Sequence, residues 1–263
     1  MHPGACKDNV EEAFIMDLIE QAAEIIKQSD NIVAFTGAGV STESNIPDFR
    51  SASGLYAART KYNHPPEYML SHTCFVEETE NFFDYYRNNL VYRDAKPNNC
   101  HLVLAQLEKM GKLKAVVTQN IDGLHQAAGS KNVYELHGSV YRNYCMKCHK
   151  FFDLDYVMDT SKTIPKCDVC GGIVKPDVVL YEESLDQDVI EGALFAIMDA
   201  DVMLVMGTSL VVYPAAGLLN YYRKDKMILI NKSYTPYDYR AKIVIHDSAG
   251  NVMKKILDYV LQG

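Results

Sequence analysis

Two cysteine pairs, Cys145-Met146-Lys147-Cys148 and Cys167-Asp168-Val169-Cys170, enclose 18 residues. Each CxxC turn offers two thiolates to one side, and two such turns complete a tetrahedral sulfur shell for zinc. Protein would fill all four positions, so the metal is expected to be structural rather than catalytic. An iron–sulfur cluster or a paired-disulfide redox site would use the same spacing. Lys147, His149, Lys150 and Lys166 surround the pairs, so a zinc-ribbon nucleic-acid module is a rival use of this segment. Cys6, Cys74 and Cys100 show no partner pattern and read as buried free thiols.

A second chemical signal is the glycine turn Thr36-Gly37-Ala38-Gly39-Val40-Ser41-Thr42. Glycines at a strand end let the backbone approach a pyrophosphate, and a following helix N-terminus would present free N–H groups to it. Thr42 stands where a dinucleotide fingerprint has its third glycine, and a plain tight turn is the competing reading. No acid at a strand end follows some 20 residues later, which disfavours an ordinary dehydrogenase. The next segment, Glu43-Ser44-Asn45-Ile46-Pro47-Asp48-Phe49-Arg50-Ser51, places a carboxylate, an aromatic ring and a guanidinium beside proline. Such a loop can clamp a cofactor by stacking and by anion pairing, or it is an ordinary surface loop.

Polar residues also end two later apolar runs. Val116-Val117-Thr118 leads into Gln119-Asn120-Ile121-Asp122-Gly123-Leu124-His125, and Val133-Tyr134-Glu135-Leu136 leads into His137-Gly138-Ser139. Ligands of an open α/β sheet bind beyond the carboxyl ends of its strands. Gln119, Asn120 and Asp122 are suited to ribose hydroxyls or an amide, with a helix cap at Asp122 as a compatible second role. His137 is a candidate general base, because imidazole titrates near neutrality. His125 and His101 are rival bases on residue type alone.

These residues need a scaffold that aligns strand ends. Phe14, Ile15, Leu18, Ile19, Ala22, Ile25 and Ile26 recur at helical spacing, and Ile32–Phe35 is a short continuous apolar run. Helix His101–Met110, strand Ala115–Thr118, helix Asp188–Asp199 and strand Val202–Met206 continue the alternation. A helix with Pro214 near its first turn follows, then strands Met227–Ile230 and Ile243–Ile245 and helix Val252–Leu261. This rhythm predicts an α/β fold, a Rossmann-like parallel sheet with helices on both faces. Residues 54–98 and 139–174 break it and read as two insertions that build a smaller second domain. Residues 1–53, 99–138 and 175–263 then form the large domain.

The chain has 263 residues, 48% of them hydrophobic and 23% charged, enough to build a core without disulfide staples. The net charge is −8, from 26 Lys+Arg against 34 Asp+Glu, which argues against broad phosphate-backbone binding and suits a basic partner such as a lysine-rich peptide. No apolar run is long enough for a membrane span, and the first residues do not read as a secretory signal. Seven cysteines, four of them in metal-type pairs, fit reduced thiols in the cytoplasm.

Taken together, these segments resemble the sirtuin family of NAD-dependent protein deacylases, in particular a short bacterial-type catalytic core. The carriers are Gly37–Thr42, Ile46-Pro47-Asp48-Phe49-Arg50, Thr118–His125, His137-Gly138 and the two CxxC pairs. Lys175–Leu180, Gly207-Thr208-Ser209-Leu210-Val211-Val212-Tyr213-Pro214, Ile230-Asn231 and Thr235-Pro236 follow in the family's order. The resemblance implies an inverted-Rossmann-type large domain and a small domain with a helical and a zinc part. NAD would lie between them, consumed as a co-substrate, and one structural zinc would sit on Cys145, Cys148, Cys167 and Cys170. It further implies that Gly37, Ala38, Gly39, Ser41, Thr42, Asp48, Arg50, Gly207, Thr208, Ser209, Asn231 and Asp247 hold NAD. Phe49 would cover the nicotinamide-ribose site, Ile121 and Asp122 would bind nicotinamide, and Gln119 and Asn120 would contact the ribose. His137 would be the base, with Asn120 beside it in catalysis.

The implied reaction is lysine deacetylation. The acyl oxygen attacks the ribose as nicotinamide leaves, His137 takes a proton from a ribose hydroxyl, and that hydroxyl attacks the imidate carbon. Products are lysine, nicotinamide and O-acetyl-ADP-ribose. Val178-Val179-Leu180-Tyr181 and Leu210-Val211-Val212 would sandwich an acyl-lysine peptide by backbone pairing, with a core strand as the other reading of Val178–Tyr181. Long-chain deacylation and ADP-ribosyl transfer are variants within the family. A zinc-containing module that binds NAD or ADP-ribose without turnover is the alternative from another class. Two departures stand out: Asn45 and Glu182 occupy positions where the family has glycine. Phe83 and Tyr86 fall where acidic-acyl members carry a Tyr-x-x-Arg pair, with Arg87 one position away, which argues against succinyl or malonyl groups.

Overall fold

A computed structural model describes residues 4–48 and 61–262, with residues 4–11 described by backbone alone. Phe49, Arg50 and Ser51 of the expected clamp lie outside the described residues.

Six parallel strands form the main sheet: β1 (Ile32–Thr36), β2 (Leu113–Thr118), β3 (Val133–Glu135), β7 (Val202–Met206), β8 (Met227–Ile230) and β9 (Ile243–Ile245). Their spatial order is β3-β2-β1-β7-β8-β9. Every side chain of β1, β7 and β8 is buried, as an apolar run covered on both faces requires. The period of two splits these residues between two cores. Ile32, Ala34, Val116, Leu204, Met206, Ile228 and Ile230 pack against helices Gly4–Lys27, Asn99–Lys109 and Ala249–Leu261. Val33, Phe35, Ala115, Val117, Met203, Val205 and Leu229 pack against helix Gln187–Asp199 and the 3-10 segment Ala215–Tyr221. Each Val, Leu, Ile, Met or Phe side chain among them contributes about 1.5–3 kcal/mol through burial.

A third core lies apart from these two. Helices Pro66–Met69, His72–Glu77 and Thr79–Asn89 bring Phe75, Phe82, Phe83, Tyr85 and Tyr86 together. They pack on a three-stranded antiparallel sheet of order β5-β4-β6, made of β4 (Gly138–Cys145), β5 (Phe151–Phe152) and β6 (Val174–Val178). Phe75, Phe82 and Phe83 meet edge to face with centroids 5.1–6.1 Å apart, the arrangement that aromatic quadrupoles favour.

Two local expectations are corrected. The glycine turn does not enter an α-helix; two 3-10 turns, Ala38–Val40 and Thr42–Ser44, follow β1. Their amide groups bond to carbonyls three residues back, so no full helix terminus faces the turn. The segment after Pro214 is likewise a 3-10 helix, Ala215–Tyr221, which follows the cis peptide Tyr213–Pro214. Elsewhere the predicted elements agree with the structure to within a few terminal residues.

Candidate active site

The strand order reverses between β1 and β7, because β1 connects outward to β2 on one side while β7 continues to β8 on the other. An open α/β sheet leaves a crevice beyond the strand ends at such a switch point. Gly37 follows β1 and Gly207 follows β7, and the two turns touch: Gly39 N–H donates to the Gly207 carbonyl at 2.7 Å. A Cβ on Gly39 would lie 2.7 Å from Gly207 Cα, and Gly207 itself has φ +58°. The two glycines thus serve backbone approach, the physical reason for the motif.

The polar residues after β2 fold onto the first turn. Asn120 Nδ2 donates to the Gly37 carbonyl at 3.1 Å and to Ser41 Oγ at 3.0 Å. Ser41 Oγ donates in turn to Asp122 Oδ2 at 2.6 Å. The other oxygen of Asp122 accepts the Leu124 amide at 2.9 Å, so this carboxylate serves the turn and the site together. Gln119 Nε2 donates to Thr208 Oγ1 at 3.1 Å, and Thr42 Oγ1 donates to the Gly39 carbonyl at 2.9 Å. Asn231 follows β8 and Asp247 stands two residues past β9, so both lie at strand carboxyl ends of the same sheet. Gly37, Ala38, Gly39, Ser41, Thr42, Gln119, Asn120, Ile121, Asp122, Gly207, Thr208, Ser209, Asn231 and Asp247 therefore share one side of one sheet.

The three histidines separate cleanly. His137 Nδ1 lies 2.9 Å from the Gln119 carbonyl at a half-buried position two residues past β3. Burial pushes its pKa down, and the Gln119 hydrogen bond offsets part of that. His101 and His125 are fully buried, with ring centroids 4.8 Å apart. Burial holds His101 at about 4, against the opposing pull of Asp122 and Glu43. Burial and the neighbouring His101 hold His125 at about 3. His101 Nδ1 accepts the Asn98 amide and His125 Nε2 meets Thr36 Oγ1 at 3.0 Å. Both rival bases are thus internal supports of the β1 turn.

The four cysteine sulfurs all lie within 4.8 Å of one another. Sγ–Sγ distances of 3.4 Å for Cys145–Cys170 and 3.6 Å for Cys148–Cys167 are too long for disulfides. They suit one tetrahedral ion, for which a Zn–S length of 2.3 Å places sulfurs roughly 3.8 Å apart. Lys147 N–H and Val169 N–H each donate to the sulfur two residues back at 3.4 Å, hydrogen bonds that support the sulfurs from outside the cluster.

Val178 ends β6, and Val179 N–H donates to the His137 carbonyl at 3.0 Å. Leu180 is buried, and Tyr181 bridges to Ser71 outside the named strands. Leu210 is buried, Val211 is exposed and Val212 is half-buried, in a segment that pairs with no strand among the described residues. The core-strand reading therefore holds for Val178 and stops there. Both departures from glycine adopt the left-handed conformation, Asn45 at φ 61° and Glu182 at φ 75°. Glu182 gains support from Thr73, whose N–H and Oγ1 donate to its carboxylate at 2.9 and 2.7 Å.

The structure adds two groups that residue types alone did not single out. Asn98 Nδ2 holds the Val40 carbonyl at 2.7 Å and Ser44 Oγ at 2.9 Å, bracing the β1 turn from the N-cap of helix Asn99–Lys109. A capping signal before that helix was its only trace in the sequence. Arg142 lies in β4 between Glu135 and Asp177, marked in the sequence only by a charge within a β-prone run.

Comparison with known proteins places this geometry. A model described as the Sir2 family matches residues 37–214. A protein named NAD-dependent protein deacetylase from Clostridium acetobutylicum is 60% identical over 93% of this chain and 100% of its own length. One of the same name from Staphylococcus aureus is 46% identical over 91% of this chain and 98% of its own. Among solved structures, a Sir2 homologue–NAD complex is 36% identical with a TM-score of 0.82, covering 92% of this chain and 94% of that one. A Sir2–p53 peptide–NAD+ complex is 34% identical with a TM-score of 0.80, covering 91% and 97%.

Proposed function

Because the chain belongs to the Sir2 family, we propose that it is an NAD-dependent protein lysine deacetylase with His137 as its general base. The observation that carries this reading is the hydrogen bond between His137 Nδ1 and the Gln119 carbonyl. A carbonyl only accepts, so Nδ1 keeps its proton and Nε2 carries the lone pair. The lowered pKa keeps that nitrogen unprotonated at neutral pH, the state a base needs.

Bound beyond the strand ends, NAD would supply ADP-ribose as the acyl acceptor, with nicotinamide as the leaving group. The chain's own residues bind and orient. Gly37, Ala38, Gly39, Ser41, Thr42, Asp48, Arg50, Gly207, Thr208, Ser209, Asn231 and Asp247 hold the dinucleotide. Gln119 and Asn120 orient the ribose, and Asn120 stands with His137 at the reacting centre. Ile121 and Asp122 receive nicotinamide, while Phe49 covers the sugar and excludes water. His137 Nε2 accepts the proton of a ribose hydroxyl. Val178, Val179, Leu180, Tyr181, Leu210, Val211 and Val212 receive the peptide through its backbone. One zinc on Cys145, Cys148, Cys167 and Cys170 supplies structure alone.

The separate third core supports a division into a large domain (1–53, 99–138, 175–263) and a small one (54–98, 139–174), except that β6 runs across the 174/175 boundary and carries Val178, with Leu180 after it, into the third core. Among the described residues no helix is long and apolar enough to cross a membrane. With free thiols at Cys74 and Cys100, this fits a cytoplasmic enzyme. The acyl group is acetyl rather than an acidic one. Arg87, the cation nearest the expected acid-reading position, donates to the carbonyls of Val157, Lys162 and Thr163, and Phe83 and Tyr86 are buried. A succinyl carboxylate would meet a guanidinium already committed to the backbone.

The test is mass spectrometry of acetyl-lysine and succinyl-lysine peptides incubated with the protein, with and without NAD. The expected result is deacetylation only with NAD, equimolar nicotinamide and O-acetyl-ADP-ribose, and little desuccinylation. NAD binding with no nicotinamide release would overturn the reading in favour of a non-catalytic sensor.

A further inference from the structure

We propose that Arg142 is a positioning residue that fixes the separation between the general base and the substrate-binding edge, by holding Glu135 and Asp177 in one guanidinium. This rests on the reading of His137 and Val178–Tyr181 given above.

Glu135 is the last residue of β3, two before His137, and its side chain is 8% exposed. A carboxylate so buried needs a partner, and Arg142 Nη1 supplies it at 2.5 Å. Asp177 precedes Val178 in β6, and Arg142 Nε donates to its Oδ2 at 2.7 Å. One planar guanidinium therefore spans the edge of the parallel sheet and the β4–β6 pair of the antiparallel one.

The backbone aims it there. Ser139 pairs with Asp177 and Asn143 pairs with Pro176, so Val140, Tyr141 and Arg142 are extra residues on β4. A bulge of this kind turns a side chain out of the ladder's alternation. The same bulge touches the loop after β2. Val140 N–H donates to the Ile121 carbonyl at 3.1 Å, and the Tyr141 ring covers Gly123 so closely that a Cβ there would lie 2.8 Å from it. Three functional segments thus meet on Val140–Arg142: the Gln119–Gly123 loop, the His137 segment and the end of β6.

Without Arg142, the His137 segment and β6 remain joined by Val179 N–H to the His137 carbonyl and by the Gly138–Val178 pairing. Those bonds keep the strands together, but among the described residues no other side chain bonds the Glu135 carboxylate. Repulsion from Asp177 and the demand for water would shift the His137 segment. A shift of even 1 Å at a reacting centre is felt in rate.

The experiment is steady-state kinetics of wild type, Arg142→Met, Arg142→Lys and Asp177→Asn with an acetyl-lysine peptide and NAD. Zinc content and thermal midpoint are recorded alongside. Arg142→Met should raise the peptide KM and lower kcat, together costing about tenfold or more in kcat/KM, with the NAD KM within about twofold of wild type. Arg142→Lys, which restores a cation but not the two-pronged geometry, should recover part of that loss. Asp177→Asn should raise the peptide KM with a smaller effect on kcat, and it keeps the test alive if Arg142→Met does not fold. The proposal is overturned by a folded Arg142→Met or Asp177→Asn protein with wild-type peptide KM. It is also overturned by parallel rises in both KM values that follow the thermal midpoint and that lysine does not relieve. An inactive wild type would instead fail the functional reading itself, so the two failures are distinguishable.

Discussion

Ser41 Oγ donates to Asp122 Oδ2 at 2.6 Å, joining the turn after β1 to the turn after β2 across 81 residues of chain. Asn120 donates to the same Ser41 oxygen, so one hydroxyl closes a network of three side chains beneath the proposed nicotinamide position.

Ser41→Ala removes the hydroxyl and leaves both Asn120 and Asp122 short of a partner at a buried site. The cost of an unmet buried polar group is about 1–3 kcal/mol. Two consequences are expected: a lower thermal midpoint and an NAD KM raised roughly tenfold, since 1.4 kcal/mol is tenfold in a binding constant. Calorimetry and NAD titration of the kinetics check both. An unchanged NAD KM would show that the network is structural only.

His137→Ala removes the base while leaving the Val179 N–H to residue-137 carbonyl bond in place. General-base contributions are about 10²–10⁴-fold, so turnover should fall by that much while NAD binding and zinc content persist. Full activity in this variant would exclude the assignment.

His101 and His125 link stability to pH. Both have folded pKa values, about 4 and about 3, below the ordinary 6.5. The unfolded chain therefore binds more protons between those values and 6.5, and stability rises with pH across that window. Above 6.5 their contribution is complete; as pH falls below it, each neutral histidine forfeits up to about 1.4 kcal/mol per pH unit. Urea unfolding at pH 7.5 and 5.5 should show a lower midpoint at 5.5 with an unchanged slope. His101→Gln should flatten the difference. A wild-type midpoint independent of pH in this range would refute the linkage.

Metal removal should act on one core and not the others. The sulfur cluster anchors β4 at Cys145 and the loop before β6 at Cys167 and Cys170, all part of the aromatic third core. Zinc binding to such sites is worth on the order of 10 kcal/mol of folding free energy. Chelation should abolish activity and expose amides of β4–β6 to hydrogen exchange while those of β1, β2 and β7 stay protected. An apo protein that keeps full activity and protection would rule out a structural metal.

Much of this was written in one dimension. The CxxC spacing carries its own geometry, because two adjacent turns reach a shared ion with little help from the rest of the chain. The short apolar runs at Ile32, Ala115, Val202 and Met227 announce a doubly covered parallel sheet, because a strand buried on both faces has no polar alternation to keep. The polar residues after those runs followed from the same rule, since ligands bind beyond strand ends. What only the tertiary structure decided was the choice among like residues. His101, His125 and His137 share a side chain, and burial alone separates two supports from a candidate base. The sequence marks neither the three-residue bulge before Asn143 nor the reach of Arg142 to Glu135 and Asp177. Pairing register and side-chain direction arise where two sheets meet, and neither is a property of a local run of residues.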